Sequence, residues 1–297
     1  MSAVTTASDP TRTPAKSLRT AVARAEWLLR SEGVQSPRHD AESVAAHLLR
    51  VPRSKLWRHM DDPTPTGFFD LIGRRAARVP LQHITGTAYF RNATLAVGPG
   101  VFLPRPETEV VVGEALRLLT GMGTAPLVVD LCAGSGAIAL SIATECPRST
   151  VHAVELDPGA GPWLDENVSK EGVHVHRVDM SGCLAELENR VDLVIANPPY
   201  IPVDAVPRDL EVARYEPELA LYSGEDGLDH IRIVEQNAAR LLRSGGWVVV
   251  EHADQQGHSA PQIFASALGW ENVQDHVDLT GRDRFLTAQR TEPREVR

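Results

Sequence analysis

The sequence predicts an α/β chain in which a small helical bundle and a linking β-hairpin precede a mostly parallel, doubly wound sheet. Three observations predict it. Apolar residues recur at helical spacing through the first part of the chain, the texture breaks at Val79-Pro80, and from about Glu107 short apolar runs alternate with helical stretches.

Residues 1–16, rich in Ser, Thr, Pro and Ala without hydrophobic periodicity, read as a disordered tail. After Ser17, a candidate N-cap, Leu18, Val22, Ala25, Leu28 and Leu29 keep helical spacing until Gly33 stops the pattern. A second helix is expected over 37–50, with Val44, Ala45, Leu48 and Leu49 inward, and a third over 66–78 around Phe68, Phe69, Leu71 and Ile72. From Ala88 to Val97 the residues are β-type around the polar pair Arg91-Asn92, which predicts a hairpin. Beyond it, strands are expected over 127–131, 151–156, 173–178, 191–196 and 247–251.

With 297 residues, 42% of them hydrophobic, the chain can bury one large core and a smaller one. No apolar run approaches the roughly 20 residues of a membrane helix, and the start does not read as a signal peptide, so the expected compartment is the cytoplasm. Cys132, Cys146 and Cys183 match neither a zinc pattern nor a disulfide framework and are expected as reduced thiols. The net charge of −9 is unevenly spread: residues 1–90 carry 13 Lys and Arg against 8 Asp and Glu, the remainder 17 against 31. An acidic main domain disfavours binding along a phosphate backbone.

Chemistry first appears at Val128-Val129-Asp130-Leu131-Cys132-Ala133-Gly134-Ser135-Gly136-Ala137, a strand passing through a glycine turn into a helix, as nucleotide-binding loops do. The third glycine of a dinucleotide fingerprint is missing, since Ala139 stands there, so the loop alone is a weak signal. Glu155, ending the next strand, is placed to accept hydrogen bonds from both hydroxyls of a ribose. Asp179, ending the third, reads equally as an acceptor for an adenine amino group and as a cap before Ser181. The decisive stretch is Asn197-Pro198-Pro199-Tyr200 at the carboxyl end of an apolar strand. The Asn197 side-chain oxygen and the Pro198 carbonyl together suit the two N–H groups of a planar –NH₂, with Tyr200 able to cover its face. An amide nitrogen is a poor nucleophile, and orienting it supplies much of the rate. Methyl transfer from a sulfonium needs no metal, and none of the eleven histidines is assigned a catalytic role.

Further stretches sharpen the reading: Pro80-Leu81-Gln82-His83-Ile84-Thr85-Gly86, Phe102-Leu103-Pro104-Arg105-Pro106-Glu107-Thr108-Glu109, Glu216-Pro217-Glu218-Leu219-Ala220-Leu221, Gly224-Glu225-Asp226-Gly227-Leu228-Asp229, Gly245-Gly246-Trp247, Glu251-His252 and Leu279-Thr280-Gly281-Arg282-Asp283-Arg284. With Asn-Pro-Pro-Tyr they closely resemble the release factor glutamine methyltransferases, the HemK/PrmC family. The resemblance implies a Rossmann-like AdoMet-dependent methyltransferase domain with a seven-stranded sheet over 107–297. A substrate-docking bundle (17–79) and a hairpin linker (80–106) would precede it. It implies S-adenosyl-L-methionine as methyl donor, S-adenosyl-L-homocysteine as product, and no metal. Cys132, Ala133, Gly134, Ser135, Gly136, Glu155, Asp179, Met180 and Asn197 would hold the cofactor. Asn197, Pro198, Pro199 and Tyr200 would grip the glutamine and carry catalysis, with Phe102 as the opposite wall. The implied substrate is the glutamine of Gly-Gly-Gln in class 1 peptide chain release factors, with modulation of translation termination and no requirement for nucleic acid or membrane.

Two departures from the family pattern stand out. Cys132 and Ala133 replace part of a loop usually reading Gly-Thr-Gly-Thr-Gly or similar, and Met180 stands where many members place a tryptophan. The alternatives are a ribosomal protein glutamine methyltransferase, a DNA adenine N6-methyltransferase, which would have to flip its base, and a cofactor-binding regulator without catalysis. A basic bundle facing an acidic release factor predicts that reversing Arg74, Arg75 and Arg78 raises KM for the whole factor and not for a short peptide.

Overall fold

The structure, a computed structural model, describes residues 17–207 and 209–291. The tail expected over 1–16 lies outside them. The chain divides into two compact units, Met1–Thr85 and Gly86–Arg297.

The first unit is helical: α1 (Leu18–Ser31), α2 (Pro37–Leu49), a 3₁₀ stretch (Arg53–His59), α3 (Phe68–Ala76) and the short α4 (Leu81–Thr85). Leu18, Ala21, Val22, Ala25 and Leu29 put one face of α1 into a core shared with Val44, Ala45, Phe68 and Ile72. The i, i+3, i+4 spacing of these residues is what makes the helix worth forming, because propensity alone leaves so short a segment marginal. Helix α3 is shorter than the expected 66–78, starting after Gly67 at φ 83° and ending at Ala76. Within it Arg75 is buried, and its Nε donates to Asp40 Oδ2 at 2.7 Å. Arg78 Nη1 donates to the Gly33 carbonyl at 2.6 Å. These two arginines hold the bundle together, which corrects their use as docking charges: removing one partner of a buried pair typically costs about 3–5 kcal/mol. Of the three, Arg74 is the exposed one.

The second unit opens with the hairpin β1 (Thr87–Phe90) and β2 (Ala93–Ala96), paired antiparallel with Phe90 opposite Ala93. Arg91 turns the chain at φ 49° and anchors it, its guanidinium donating to both Glu145 carboxylate oxygens at 2.6 and 2.7 Å. Phe90, Leu95 and Val97 are buried in the core of this unit. Then follow α5 (Pro106–Thr120), β3 (Leu127–Leu131), α6 (Ala137–Glu145), β4 (Thr150–Val154), α7 (Gly161–Val168), β5 (His174–His176), β6 (Val191–Ala196), α8 (Leu210–Tyr215), α9 (Asp229–Leu241), β7 (Leu242–Glu251), α10 (Ser259–Ser266), β8 (Trp270–Val277) and β9 (Asp283–Arg290).

One seven-stranded sheet results, in the order β5-β4-β3-β6-β7-β9-β8, with β9 antiparallel to both its neighbours and the other pairs parallel. Successive side chains leave a strand on opposite faces, so Val128, Leu193, Ile195 and Val249 join one core with residues of α5, α6 and α7. Val129, Leu131, Val194, Ala196, Val248 and Val250 join another with residues of α9 and α10. Burial on both faces explains why the central strands are apolar apart from Asp130 and Asp192. The order reverses between β3 and β6, whose following loops part at the carboxyl edge and leave the crevice in which such sheets bind ligands. Two expected strands stop early: β4 ends at Val154 and β5 at His176, which leaves Glu155, Leu156 and Val178 beyond the ladder. Among the described residues no helix is long and apolar enough to cross a membrane.

Candidate active site

A cavity of about 620 Å³ opens at that crevice, a size typical of small-molecule sites. Its wall on the β3–β4 side is mostly backbone. Leaving β3, the chain turns through Cys132 at φ 64°, Gly134 at 55° and Gly136 at 81° into α6. The Ala133 N–H donates to the Val154 carbonyl at 2.9 Å, tying the turn to β4. Asp130, fully buried below the turn, accepts the Ala139 N–H on Oδ2 at 3.0 Å while its Oδ1 has no partner. Burial pushes its pKa well up.

Glu155 completes this side. Its Oε2 accepts the Gly134 N–H and its Oε1 the Asp157 N–H, both at 2.6 Å, so one carboxylate props the glycine turn and presents its remaining lone pairs to the cavity. Burial raises its pKa, and the two backbone donors oppose the rise. Asp179 accepts the Ser181 N–H at 2.7 Å, which lowers its pKa. It makes this tight-turn bond and lines the cavity at once. Cys132 Sγ lies 3.6 Å from Met180 Sδ.

The wall on the β6–β7 side is made of side chains. Asn197 follows the last residue of β6, and its Nδ2 donates to Thr108 Oγ1, in the first turn of α5, at 3.3 Å. Pro198 and Pro199 are buried. The Tyr200 hydroxyl points at Glu251 Oε1, 3.4 Å away. Glu251, the last residue of β7, is 1% exposed, and burial lifts its carboxyl to about 7 against the pull of Thr108 and Arg284. Burial raises the Tyr200 phenol as well. The Arg105 guanidinium sits 4.8 Å from the Phe102 ring centroid and pairs with the buried carboxylate of Glu216. That pairing joins two of the stretches noted in the sequence into one rim.

Of the expected site residues, Phe102, Cys132, Ala133, Gly134, Ser135, Glu155, Asp179, Met180, Asn197, Pro198, Pro199 and Tyr200 line this one cavity. Gly136 does not. A Cβ on it would come 2.7 Å from Leu164 Cδ1, so this glycine admits α7 from behind, whereas a Cβ at Gly134 would meet nothing within 4 Å. Thr108, Leu156, Val178 and Arg284 also line the cavity; none was given a site role from the sequence, although Thr108 and Arg284 lie in stretches that carry the resemblance. Leu156 and Val178 were read as strand residues. At 56% and 45% exposure they give the cavity an apolar wall.

Residues 20–86 match the family model of the PrmC N-terminal domain, and residues 97–210 that of the methyltransferase small domain. The release factor glutamine methyltransferase of Streptomyces coelicolor is 51% identical over 274 residues, 92% of this chain and 98% of the relative. That of Mycolicibacterium smegmatis is 44% identical over 278 residues, again 92% and 98%. A Streptomyces pristinaespiralis protein named 4-amino-L-phenylalanine/4-methylamino-L-phenylalanine methyltransferase is 38% identical over 85% of this chain and 87% of its own. Identity of this level over nearly the whole length, on a methyltransferase sheet with Asn-Pro-Pro-Tyr at its reversal point, means that the chain belongs to the release factor glutamine methyltransferase family.

Proposed function

We propose that this protein methylates the side-chain amide nitrogen of the glutamine in the Gly-Gly-Gln motif of class 1 peptide chain release factors, drawing the methyl group from S-adenosyl-L-methionine. The observation that carries the reading is Asn197 at the end of β6, in the same cavity as the Cys132–Glu155 wall, in a chain 51% identical to a release factor glutamine methyltransferase.

The donor set fits the cofactor. Glu155 would take the ribose hydroxyls, Leu156, Val178 and Met180 would enclose the adenine, and Asp179 would accept from its amino group. Backbone at Cys132, Ala133, Gly134 and Ser135 would face the methionyl portion. S-adenosyl-L-methionine, when bound, supplies an electrophilic methyl group on a sulfonium. On the other wall Asn197 Oδ1 and the Pro198 carbonyl accept the two N–H groups of the glutamine amide, orienting a nitrogen whose lone pair is otherwise spread into its carbonyl. Phe102 and Tyr200 limit the tilt of the amide plane. As the nitrogen gains its methyl group it becomes acidic, and the same two acceptors are placed to relieve the growing positive charge.

Docking of the whole factor is assigned to the basic first unit. Reversing the exposed Lys55, Arg58 and Arg74 should raise KM for intact release factor and leave a Gly-Gly-Gln peptide unaffected; equal effects on both would reject the assignment.

A second reading rests on the Streptomyces pristinaespiralis relative, whose name gives 4-amino-L-phenylalanine, an aromatic –NH₂ compound, as substrate. Incubation with methyl-labelled S-adenosyl-L-methionine, a release factor and 4-amino-L-phenylalanine, followed by mass spectrometry, separates the two. Label on the Gly-Gly-Gln glutamine, absent with Asn197→Ala, supports the proposal. Label on the free amino acid alone overturns it.

A further inference from the structure

Among the described residues one histidine, His230, lines the cavity, together with Asp179 and Met180. Its place is set from two sides. It is the second residue of α9, and one and two turns further along the same face stand Ile233, which also lines the cavity, and Asn237, whose Oδ1 accepts the Gly182 N–H at 3.2 Å. That face of α9 therefore runs along the segment that leaves β5 through Asp179 and Met180. On its other side the ring meets Ser223, whose N–H donates to the Ile201 carbonyl at 2.8 Å just past the Asn-Pro-Pro-Tyr segment.

Ser223 fixes which nitrogen of the ring carries the proton. Its Oγ accepts the His230 backbone N–H at 2.9 Å and lies 2.8 Å from the ring Nδ1. Ser223 is 0% exposed, and among the described residues its hydroxyl has no further partner. The hydroxyl proton thus has a single acceptor within reach, Nδ1, and leaving a buried hydroxyl undonated would cost free energy. Burial lowers the pKa of His230 against the pull of Asp229 and Asp179, so at neutral pH the ring is uncharged and carries one N–H. With Nδ1 accepting, that N–H is on Nε2, which has no partner among the described residues.

We propose that His230 reads the base of the cofactor: its Nε2–H donates to a ring nitrogen flanking the adenine amino group, N1 or N7, while Asp179 accepts from the amino group itself. A donor next to an acceptor matches adenine. Hypoxanthine, with an oxygen in place of the amino group, sets Asp179 against a second acceptor. The pair makes the site specific for an adenine nucleoside, which Leu156 and Val178 cannot do alone, because apolar walls accept any flat ring.

The inference rests on adenine lying against Asp179 and Met180, and calorimetry separates the two. His230→Phe should weaken S-adenosyl-L-homocysteine binding about 5- to 10-fold, the worth of one neutral hydrogen bond. His230→Gln, which keeps an N–H donor, should stay within about threefold of wild type. The 1-deaza and 7-deaza adenine analogues of the same ligand locate the bond. Wild type should bind one of them about 5- to 10-fold more weakly than S-adenosyl-L-homocysteine, and that analogue should not distinguish wild type from His230→Phe, whereas the other should keep the full penalty. A His230→Phe penalty that survives in both analogues, or none with S-adenosyl-L-homocysteine, overturns the role of His230. Nitrogen NMR of the labelled, unliganded protein reads the tautomer: the proton should be on Nε2, and a ring protonated on Nδ1 overturns the proposal. Asp179→Ala distinguishes the two failures. Weaker binding in Asp179→Ala beside unchanged binding in His230→Phe rejects the histidine alone, and binding untouched by either variant rejects the adenine placement itself.

Discussion

The two walls of the cavity are built on different principles. The β3–β4 wall is a backbone device, in which a glycine turn, an amide tied to a neighbouring strand and one carboxylate propping the turn lie within about 25 residues. The β6–β7 wall is a side-chain device, in which Thr108, Asn197, Tyr200, Glu251 and Arg284 come together only because α5, β6, β7 and β9 converge. Under the proposed function the backbone wall would hold what every turnover shares, the nucleoside and its tail, and the side-chain wall the one group that reacts. The two walls should therefore fail differently.

The largest expected effect is on the side-chain wall. Asn197→Ala should lower kcat/KM about 10²- to 10³-fold, the usual loss for a group whose interaction strengthens in the transition state. Calorimetry with S-adenosyl-L-homocysteine should show a far smaller loss of cofactor affinity. Comparable losses in both would mean that the walls are not separate. Glu155→Ala should do the reverse. It should weaken S-adenosyl-L-homocysteine binding about 10- to 100-fold, as expected for about 1.5–3 kcal/mol of hydrogen bonding to a charged group. At saturating cofactor kcat should recover most of its value, and a kcat that stays low would place Glu155 in the chemistry instead.

Next in size is a pH effect. Glu251 is lifted by burial to about 7, above the roughly 4.3 of an exposed glutamate. Between those values the folded state holds a proton that the unfolded chain has released, so stability falls as pH rises through this window. The full difference is about 4 kcal/mol. Glu251→Gln, which cannot ionise, should therefore melt above wild type at pH 8 and approach it near pH 4.5. Thermal unfolding curves at the two pH values check this, and a gap that widens on acidification would contradict it.

Legibility in the sequence follows the same division. The strands 127–131 and 191–196 were readable to the residue because burial on both faces leaves them apolar except for Asp130 and Asp192. Strand β8 was not read: its residues alternate between half-buried and exposed at the edge of the sheet, so Trp270–Val277 has no apolar run to find. The glycine turn and Glu155 were visible because they follow one another along the chain. Thr108 stood within a stretch that carries the resemblance but had no role, because the chain spacing does not show that it meets Asn197, 89 positions later. Glu251 was noted, without a role, because its partner Tyr200 lies on the segment after β6, 51 positions earlier. Gly136 was placed at the ligand by analogy of spacing, although its lack of a side chain serves the approach of α7.

The smallest effect returns to the backbone wall and to its main departure from the family pattern. Cys132 adopts φ 64°, a left-handed conformation that costs a non-glycine residue roughly 1–2 kcal/mol, and it does so where relatives of this family commonly have glycine. The cysteine is partly compensated by the contact of its Sγ with Met180 and by packing beside the core under α9. Cys132→Gly removes the strain together with the contact, so its stability should lie within about 1 kcal/mol of wild type. Cys132→Val keeps the bulk but adds a branch at Cβ that the left-handed region tolerates poorly, and should lose about 1–2 kcal/mol. Urea unfolding of the pair reads the difference. If the valine variant matches the glycine variant, the turn has room to relax, and the backbone wall is softer than its hydrogen bonds imply. A gap of about 2 kcal/mol would instead mark a rigid turn, one that Glu155 and the Val154 carbonyl hold whatever side chain is threaded through it.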